Sequence, residues 1–322
     1  VSAADRGGRP VVWCLLGPSG TGKTALALEL ARHHPVEIVS VDSALIYRGM
    51  DIGTAKPTAA ERRVCPHHLI DIVEPHETYS AARFGVDARK AIEACLARGR
   101  TPLLVGGTGL YFRALREGLS ALPESDPVLR AELEAALARE GAPALHQRLA
   151  AVDPAAAARI HRNDPQRILR ALEVHTLTGE PLSLLQARGR NAAGGWHLHR
   201  VILVPRDRRA HAEALRRRFE AMLAAGLIEE VLRLRSDPRL HAGLPSMRSV
   251  GYRQVLAYLE GRGDRARLEH EVLHATRQLV KRQLTWFRSE PGATWASVAT
   301  GQDLRPVSLH FLLRLFNLTT PA

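Results

Sequence analysis

Val11-Val12-Trp13-Cys14-Leu15-Leu16-Gly17-Pro18-Ser19-Gly20-Thr21-Gly22-Lys23-Thr24 is the stretch on which the fold turns. Its first six residues are an unbroken apolar run that stops at glycine, the pattern of a parallel strand buried on both faces. The next eight fit GxxxxGK[ST], and a helical stretch from Lys23 to about His33 follows, with Leu26, Leu28 and Leu30 set among alanines. Strand, glycine turn and helix in that order make a phosphate loop. The glycines let backbone N–H groups curl around phosphate oxygens, and the helix start adds its dipole. Gly17, Ser19, Gly20, Thr21 and Gly22 would form the cradle. Lys23 would neutralise phosphate charge, and the Thr24 hydroxyl suits Mg²⁺. The alternative is a glycine turn that only packs helix on strand; the flanking elements weigh against it. The motif alone does not say which phosphorylated molecule binds.

The alternation continues outward. Val36–Val41 reads as a second strand ending at Asp42, residues 69–73 as a third, and residues 80–97 as a helix. Residues 102–105 form another strand running into Gly106-Gly107-Thr108-Gly109. This order predicts an α/β fold, an open parallel sheet with right-handed crossovers. Ligands bind beyond the carboxyl ends of such strands, where Gly17, Asp42 and Gly106 fall. A P-loop protein that hydrolyses a nucleotide needs a second-strand acid to place metal and water. The strand at 102–105 ends without one, which leaves Asp42 as the carboxylate near the loop. Metal ligand and general base are both open to it, and a cap or turn aspartate is the plain alternative.

From about residue 118 to 200 the pattern changes. Asp126-Pro127, Asp153-Pro154 and Asp164-Pro165 each precede a helical pattern: Asp supplies a cap oxygen, and Pro fits a first turn where its missing N–H has no partner. Gly141 and Gly179 fall where helices would stop. The expected organisation is a small all-helical insertion, 118–200, in a P-loop core made of 1–117 and 201–322. Strand character returns at residues 201–204. A long helix runs through Arg218 and Leu223, and another covers about 268–288. Nothing is assigned beyond about 290.

The chain has 322 residues, 45% apolar and 24% charged, the balance of a soluble globular protein. Lys and Arg exceed Asp and Glu by 45 to 33, a net charge of +12 that favours a polyanionic partner. Residues 201–290 carry 18 Lys and Arg against 11 Asp and Glu. Within them Arg277, Lys281 and Arg288 fall on one helical face, either a phosphate-tracking stripe or a solvated surface. Cys14, Cys65 and Cys95 are far apart, which argues against a disulfide framework and fits a reducing compartment. A metal could be imagined at Cys65 with His67 and His68, but a loop thiol beside solvated histidines is the preferred reading. The apolar run Val11–Leu16 is too short for a membrane span and lacks a signal cleavage pattern, so a cytoplasmic location is expected.

Further blocks carry a resemblance. Residues 17–24 are followed by Asp42-Ser43-Ala44-Leu45-Ile46-Tyr47-Arg48-Gly49-Met50-Asp51-Ile52-Gly53-Thr54-Ala55-Lys56-Pro57, then by Gly106-Gly107-Thr108-Gly109-Leu110-Tyr111. After these come Asn163-Asp164-Pro165-Gln166-Arg167-Ile168-Leu169-Arg170, Ser249-Val250-Gly251-Tyr252-Arg253-Gln254 and Thr276-Arg277-Gln278-Leu279-Val280-Lys281-Arg282-Gln283. In this order, over about 11–290, they resemble the bacterial tRNA dimethylallyltransferases. The phosphate loop departs from the family's commoner wording at Ser19-Gly20-Thr21.

The resemblance implies transfer of a dimethylallyl group from dimethylallyl diphosphate to the N6 amine of adenine 37, beside the tRNA anticodon, with Mg²⁺. Asp42 would be the general base, while Thr24 and Arg218 would serve the diphosphate. Contacts with the tRNA anticodon arm would come from Asp42, Ser43, Ala44, Leu45, Thr108, Arg130, Gln166, Arg167, Ile168, Leu169, Arg170, Arg248, Ser249, Val250, Gly251, Tyr252 and Arg253. The basic stripe at Arg277 and Lys281 would add to them. Read for themselves, Ile168 and Leu169 look like core residues, and Arg218 looks like one of three solvated arginines. A monomer is expected. The rival readings are an adenylate isopentenyltransferase, a P-loop small-molecule kinase and a non-catalytic RNA-binding protein.

Overall fold

The computed structural model describes residues 8–120, 122–188, 194–299 and 315–316. The chain divides into two compact units, Val1–Phe112 with Gly194–Ala322, and Arg113–Ala193. The first is built on six strands: β1 (Val11–Leu16), β2 (Val36–Val41), β3 (His67–His68), β4 (Thr101–Gly106), β5 (His197–Pro205) and β6 (Thr294–Val298). Their order is β3-β2-β4-β1-β5-β6, and every pairing is parallel. All six side chains of β1 are buried, as are all six of β2. This is why their sequences read as continuous rather than alternating runs.

The connecting helices are α1 (Lys23–His33), α2 (Ala59–Arg62), α3 (Ala81–Ala97) and α4 (Gly109–Glu117), the last of which runs across the division between the units. Leu26, Leu28 and Leu30 of α1 pack with Trp13, Leu15, Ile38, Leu103 and Leu203 in the core on that side of the sheet. The Ser80 side chain caps α3 by accepting from the Arg83 N–H.

The helical unit contains α5 (Pro127–Val152), α6 (Pro154–Ala157), α7 (Pro165–Thr178) and α8 (Leu182–Arg188). Asp126, Asp153 and Asp164 each accept backbone N–H groups at a helix start with Pro in the first turn, as the Asp-Pro pairs predict. Gly179 ends α7 in the left-handed conformation. Gly141 (φ 80°, ψ 162°) leaves the helical conformation and divides α5 into two helical segments, the second with Pro143 near its beginning, so a helix does stop there. Leu133, Leu145, Leu149, Ile168, Leu169 and Leu172 form a core belonging to this unit alone.

After β5 come α9 (Arg208–Ala224), α10 (Leu227–Arg235), α11 (Tyr252–Leu259) and α12 (Arg265–Phe287). Three expectations change. Residues 69–73 are not a strand, because Leu69 and Asp71 take φ values of 62° and 56°, which break an extended run. Only His67 and His68 pair with β2, and Val73 bridges to Tyr47. β5 starts at His197, before the apolar run begins, because its first four residues are only half-buried. Past residue 290, β6 adds an edge strand beside β5. Among the described residues, no helix is long and apolar enough to cross a membrane.

Candidate active site at the strand ends

Three strands end in register. Leu16 of β1 and Val41 of β2 both lie opposite Gly106 of β4, so Gly17, Asp42 and Gly107 leave the sheet together. The Gly17 N–H donates to the Gly106 carbonyl at 3.3 Å, and the Gly107 and Thr108 N–H groups donate to Val41 at 3.2 and 3.1 Å. The chain turns one way from β1 and the other way into β5, so these ends flank a topological switch point, where such sheets bind ligands.

In the phosphate loop Gly17, Gly20 and Gly22 adopt φ values of 149°, 82° and 77°. At Gly17 space is as decisive as dihedral freedom, since a Cβ there would stand 2.5 Å from the Leu203 carbonyl oxygen of β5. The buried Thr21 hydroxyl and the Lys23 ammonium both donate to the Pro18 carbonyl, at 2.9 and 2.7 Å. Thr24 is exposed in the first turn of α1.

Two side chains from distant elements hold Ser19. Gln283 of α12 accepts the Ser19 N–H at 3.0 Å through Oε1, and its Nε2 donates to the Gly107 carbonyl at 3.0 Å. His211 of α9 sits with Nε2 2.9 Å from the Ser19 carbonyl. Neither residue was singled out from sequence, because no spacing relates positions 211 or 283 to position 19. Only tertiary packing brings them there.

Asp42 is half-buried. Its Oδ1 accepts the Ala44 N–H at 2.8 Å, so one oxygen does make a turn contact. Among the described residues no hydrogen bond reaches the other. Thr108 Oγ1 accepts the Ser43 N–H at 3.0 Å and donates to the Ser43 hydroxyl at 3.3 Å.

Charge ties the site together. Burial pushes the Lys23 ammonium down to about 8, with the Asp42 carboxylate opposing the shift and Arg218 adding to it. Burial also lowers Arg218, again against Asp42. Lys23, Asp42 and Arg218 therefore share one electrostatic neighbourhood. Arg218 is exposed and lines the cavity. In the run 216–218, Arg216 pairs with Glu213 at 2.7 Å and also with Glu220, and Arg217 pairs with Glu213 at 3.4 Å. Arg218 has no such partner among the described residues.

A cavity of about 370 Å³ opens here. Ser19, Asp42, Ser43, Ala44 and Thr108 line it, with Leu215, Phe219, Met222, Val272 and Leu279 as apolar wall and Arg218, Arg248 and Arg282 as cations. Ser249, Val250 and Gly251 also reach it, as do Gly53 and Thr54, which the sequence reading had not assigned. Arg253, Arg277 and Lys281 are exposed. Among the described residues no acid pairs with Arg277, Lys281 or Arg282. Leu45 is part-buried and does not line the cavity.

Tyr252 requires correction as a tRNA contact. It is fully buried, and its hydroxyl donates to Glu230 at 2.6 Å. In the helical unit Ile168 and Leu169 are core residues, 0% and 2% exposed, so their side chains face no partner. Arg170 is bound to the buried Glu173 at 2.9 Å and to the Pro123 carbonyl at 2.6 Å. Gln166 and Arg167 stand exposed at the start of α7, while Arg130 pairs with Glu134 at 2.9 Å.

The histidines near Cys65 are not simply solvated. His67 Nδ1 lies 2.9 Å from the Cys65 carbonyl, and His68 Nε2 lies 2.7 Å from Glu37. Cys95 approaches the same carboxylate at 3.3 Å. Arg98 clamps both Glu37 oxygens, at 3.1 and 2.6 Å, and holds that carboxyl at about 2. The guanidinium already balances the cluster's negative charge.

Comparison with known proteins agrees with this geometry. The IPP transferase family model matches residues 45–290, and the Isopentenyl transferase model matches residues 10–67. The tRNA dimethylallyltransferase of Burkholderia thailandensis is 55% identical over 314 residues, 97% of either chain. The crystal structure of the tRNA isopentenylpyrophosphate transferase of Bacillus halodurans superposes with a TM-score of 0.66 at 35% identity, covering 95% of this chain and 97% of that one. A eukaryotic dimethylallyltransferase acting on tRNA shares the fold, with a TM-score of 0.72 at 23% identity over 97% of this chain and 81% of its own. A buried parallel sheet with a phosphate loop and Asp42 at its strand ends, Arg218 on the wall of the same cavity, and these matches along nearly the whole length place the chain in the IPP transferase family.

Proposed function

We propose that the cavity is where a dimethylallyl group passes from dimethylallyl diphosphate to the N6 amine of adenine 37, beside the tRNA anticodon. The observation that carries this reading is the one cavity that Asp42, at the end of β2, and Arg218, on α9, line together with Ser19 of the phosphate loop, with Lys23 close enough to feel both charges. The N6 lone pair attacks C1 of the dimethylallyl group as the C1–O bond breaks. The bonding electrons leave with diphosphate, and the N6 proton passes to the Asp42 carboxylate. Lys23, Arg218 and the loop N–H groups stabilise the charge that grows on the leaving group. The apolar wall of Leu215, Phe219, Met222, Val272 and Leu279 suits a five-carbon hydrocarbon.

Mg²⁺ fits the site: the exposed Thr24 hydroxyl is a hard oxygen ligand, and no thiolate or imidazole competes among the residues lining the cavity. Thr24 would hold it with the diphosphate oxygens, and the cation would add to charge neutralisation on the leaving group.

A base inside a folded loop must leave its stack to enter such a cavity. The exposed cations Arg248, Arg253, Arg277 and Lys281 would take flanking phosphates. In the helical unit Gln166 and Arg167 offer an amide and a guanidinium for the anticodon arm. The protein works as a monomer in the cytoplasm.

The test is transfer of label from radiolabelled dimethylallyl diphosphate with Mg²⁺ to unmodified tRNA, with AMP and ATP as parallel acceptors. Label in tRNA alone supports the reading. Label in a free nucleotide moves it to the adenylate class, and no transfer at all returns the kinase reading.

A further inference from the structure

Glu230, on α10, is a carboxylate 1% exposed with no cation within ion-pair distance among the described residues. Its oxygens instead collect four neutral donors. Oε2 accepts the N–H groups of Asp51 and Ile52 at 3.0 and 2.8 Å. Oε1 accepts the Gly53 N–H at 3.2 Å and the Tyr252 hydroxyl at 2.6 Å. Three successive backbone amides converging on one carboxylate form an anion nest, here filled by the protein's own side chain. Such bonds to an ionised acceptor are stronger than neutral ones, and losing the acceptor would strand three N–H groups.

The segment so held is part of the cavity, since Gly53 and Thr54 line it beside Asp42–Ala44 and Arg248–Gly251. It is seated from below with no spare room. A Cβ at Gly53 would stand 2.5 Å from the Tyr252 ring and 2.9 Å from Leu227. The far end is pinned too: the Lys56 ammonium, 1% exposed, reaches Asp51 at 2.6 Å, Asp71 at 2.5 Å and the Tyr47 carbonyl at 2.6 Å. None of these contacts involves the phosphate loop.

We infer that Glu230, braced by Tyr252, is a positioning residue that fixes the 51–54 wall of the cavity, and that this wall orients the acceptor adenine rather than the diphosphate. The inference rests on the transfer reading above and adds to it a division of labour: one wall for the acceptor, the loop for the donor. It also accounts for Tyr252 by a route other than surface contact, because its hydroxyl works through Glu230.

The test uses the full-length protein, unmodified tRNA and dimethylallyl diphosphate. Glu230→Gln keeps the shape but turns one acceptor oxygen into a donor facing N–H groups. Tyr252→Phe removes a single hydrogen bond, and Gly53→Ala lifts the wall off Tyr252 from the other side. With kcat expressed per folded molecule by circular dichroism, each variant is expected to lose roughly tenfold or more in kcat with tRNA. Binding of dimethylallyl diphosphate, measured by titration calorimetry, should stay within about twofold of wild type, consistent with a wall that acts on orientation alone. Unchanged kcat per folded molecule would make Glu230 purely structural and overturn the inference. A parallel loss of diphosphate binding would overturn it as well, by placing the wall on the donor side. Wild-type protein that fails to modify tRNA would sink the transfer reading itself, a result the control arm keeps separate.

Discussion

Asp42 has one oxygen bound to the Ala44 N–H and a second open toward the cavity. Asp42→Ala is expected to lower kcat by about 10²–10⁴, the range for a positioned general base, with tRNA affinity held within a few-fold. Filter binding beside single-turnover kinetics decides this, and equal losses in both would remove the base role. Lys23 gives a pH prediction. Its ammonium titrates near 8 rather than 10.5, so the cation is fully present below pH 7 and is lost as pH rises through 8. The kcat/KM for dimethylallyl diphosphate should therefore fall above pH 8, and Lys23→Arg should flatten that limb. The same depression makes stability rise with pH between about 8 and 10.5, where the unfolded chain holds a proton that the folded one has released. At this scale the sequence shows which groups can do chemistry, but not which of three adjacent arginines does. Arg216 and Arg217 are neutralised by acids on their own helix, and Arg218 is distinguished only by the cavity it meets.

The phosphate loop is a local element whose conformation depends on a distant helix. Gln283 joins the Ser19 N–H to the Gly107 carbonyl, so α12 fixes the loop against β4. Gln283→Ala is expected to raise the KM for dimethylallyl diphosphate several-fold, since two hydrogen bonds of about 1 kcal/mol each no longer pre-order the loop. Steady-state kinetics with saturating tRNA measures this, and an unchanged KM would show that the loop holds itself. The same helix presents Arg277 and Lys281 to solvent with no acid in reach among the described residues. Replacing both by alanine should weaken tRNA binding and reduce the slope of log K against log salt by about 1–2. An unaltered slope would take that face out of the interface. Strand β1, the Asp-Pro caps and α3 were legible because buried runs, cap residues and helical periodicity are written in consecutive positions. β3 was not, since two left-handed residues inside an apolar stretch leave no mark in composition.

Each of the two units has a core of its own, which lets their contributions be separated by packing changes. Leu145, fully buried in the helical unit, and Leu103, fully buried on strand β4 of the sheet, belong to different cores. Truncating either to alanine should cost about 2–5 kcal/mol, read by denaturant unfolding. Leu145→Ala should impair tRNA modification while leaving dimethylallyl diphosphate binding in place; loss of both would mean that the units do not divide the work. The sequence by itself determined the parallel sheet, the phosphate loop, the strand-end aspartate and the helical character of the stretch between. All of these depend on residues close in the chain, where patterning and backbone propensity act directly. Only the tertiary structure decided that Gln283 and His211 hold Ser19, that Tyr252 is a buried brace, and that Glu230 gathers the amides of residues 51–53. Those contacts join positions 22 to 264 residues apart, and a hydrogen bond at 3 Å depends on where the packed core delivers each backbone.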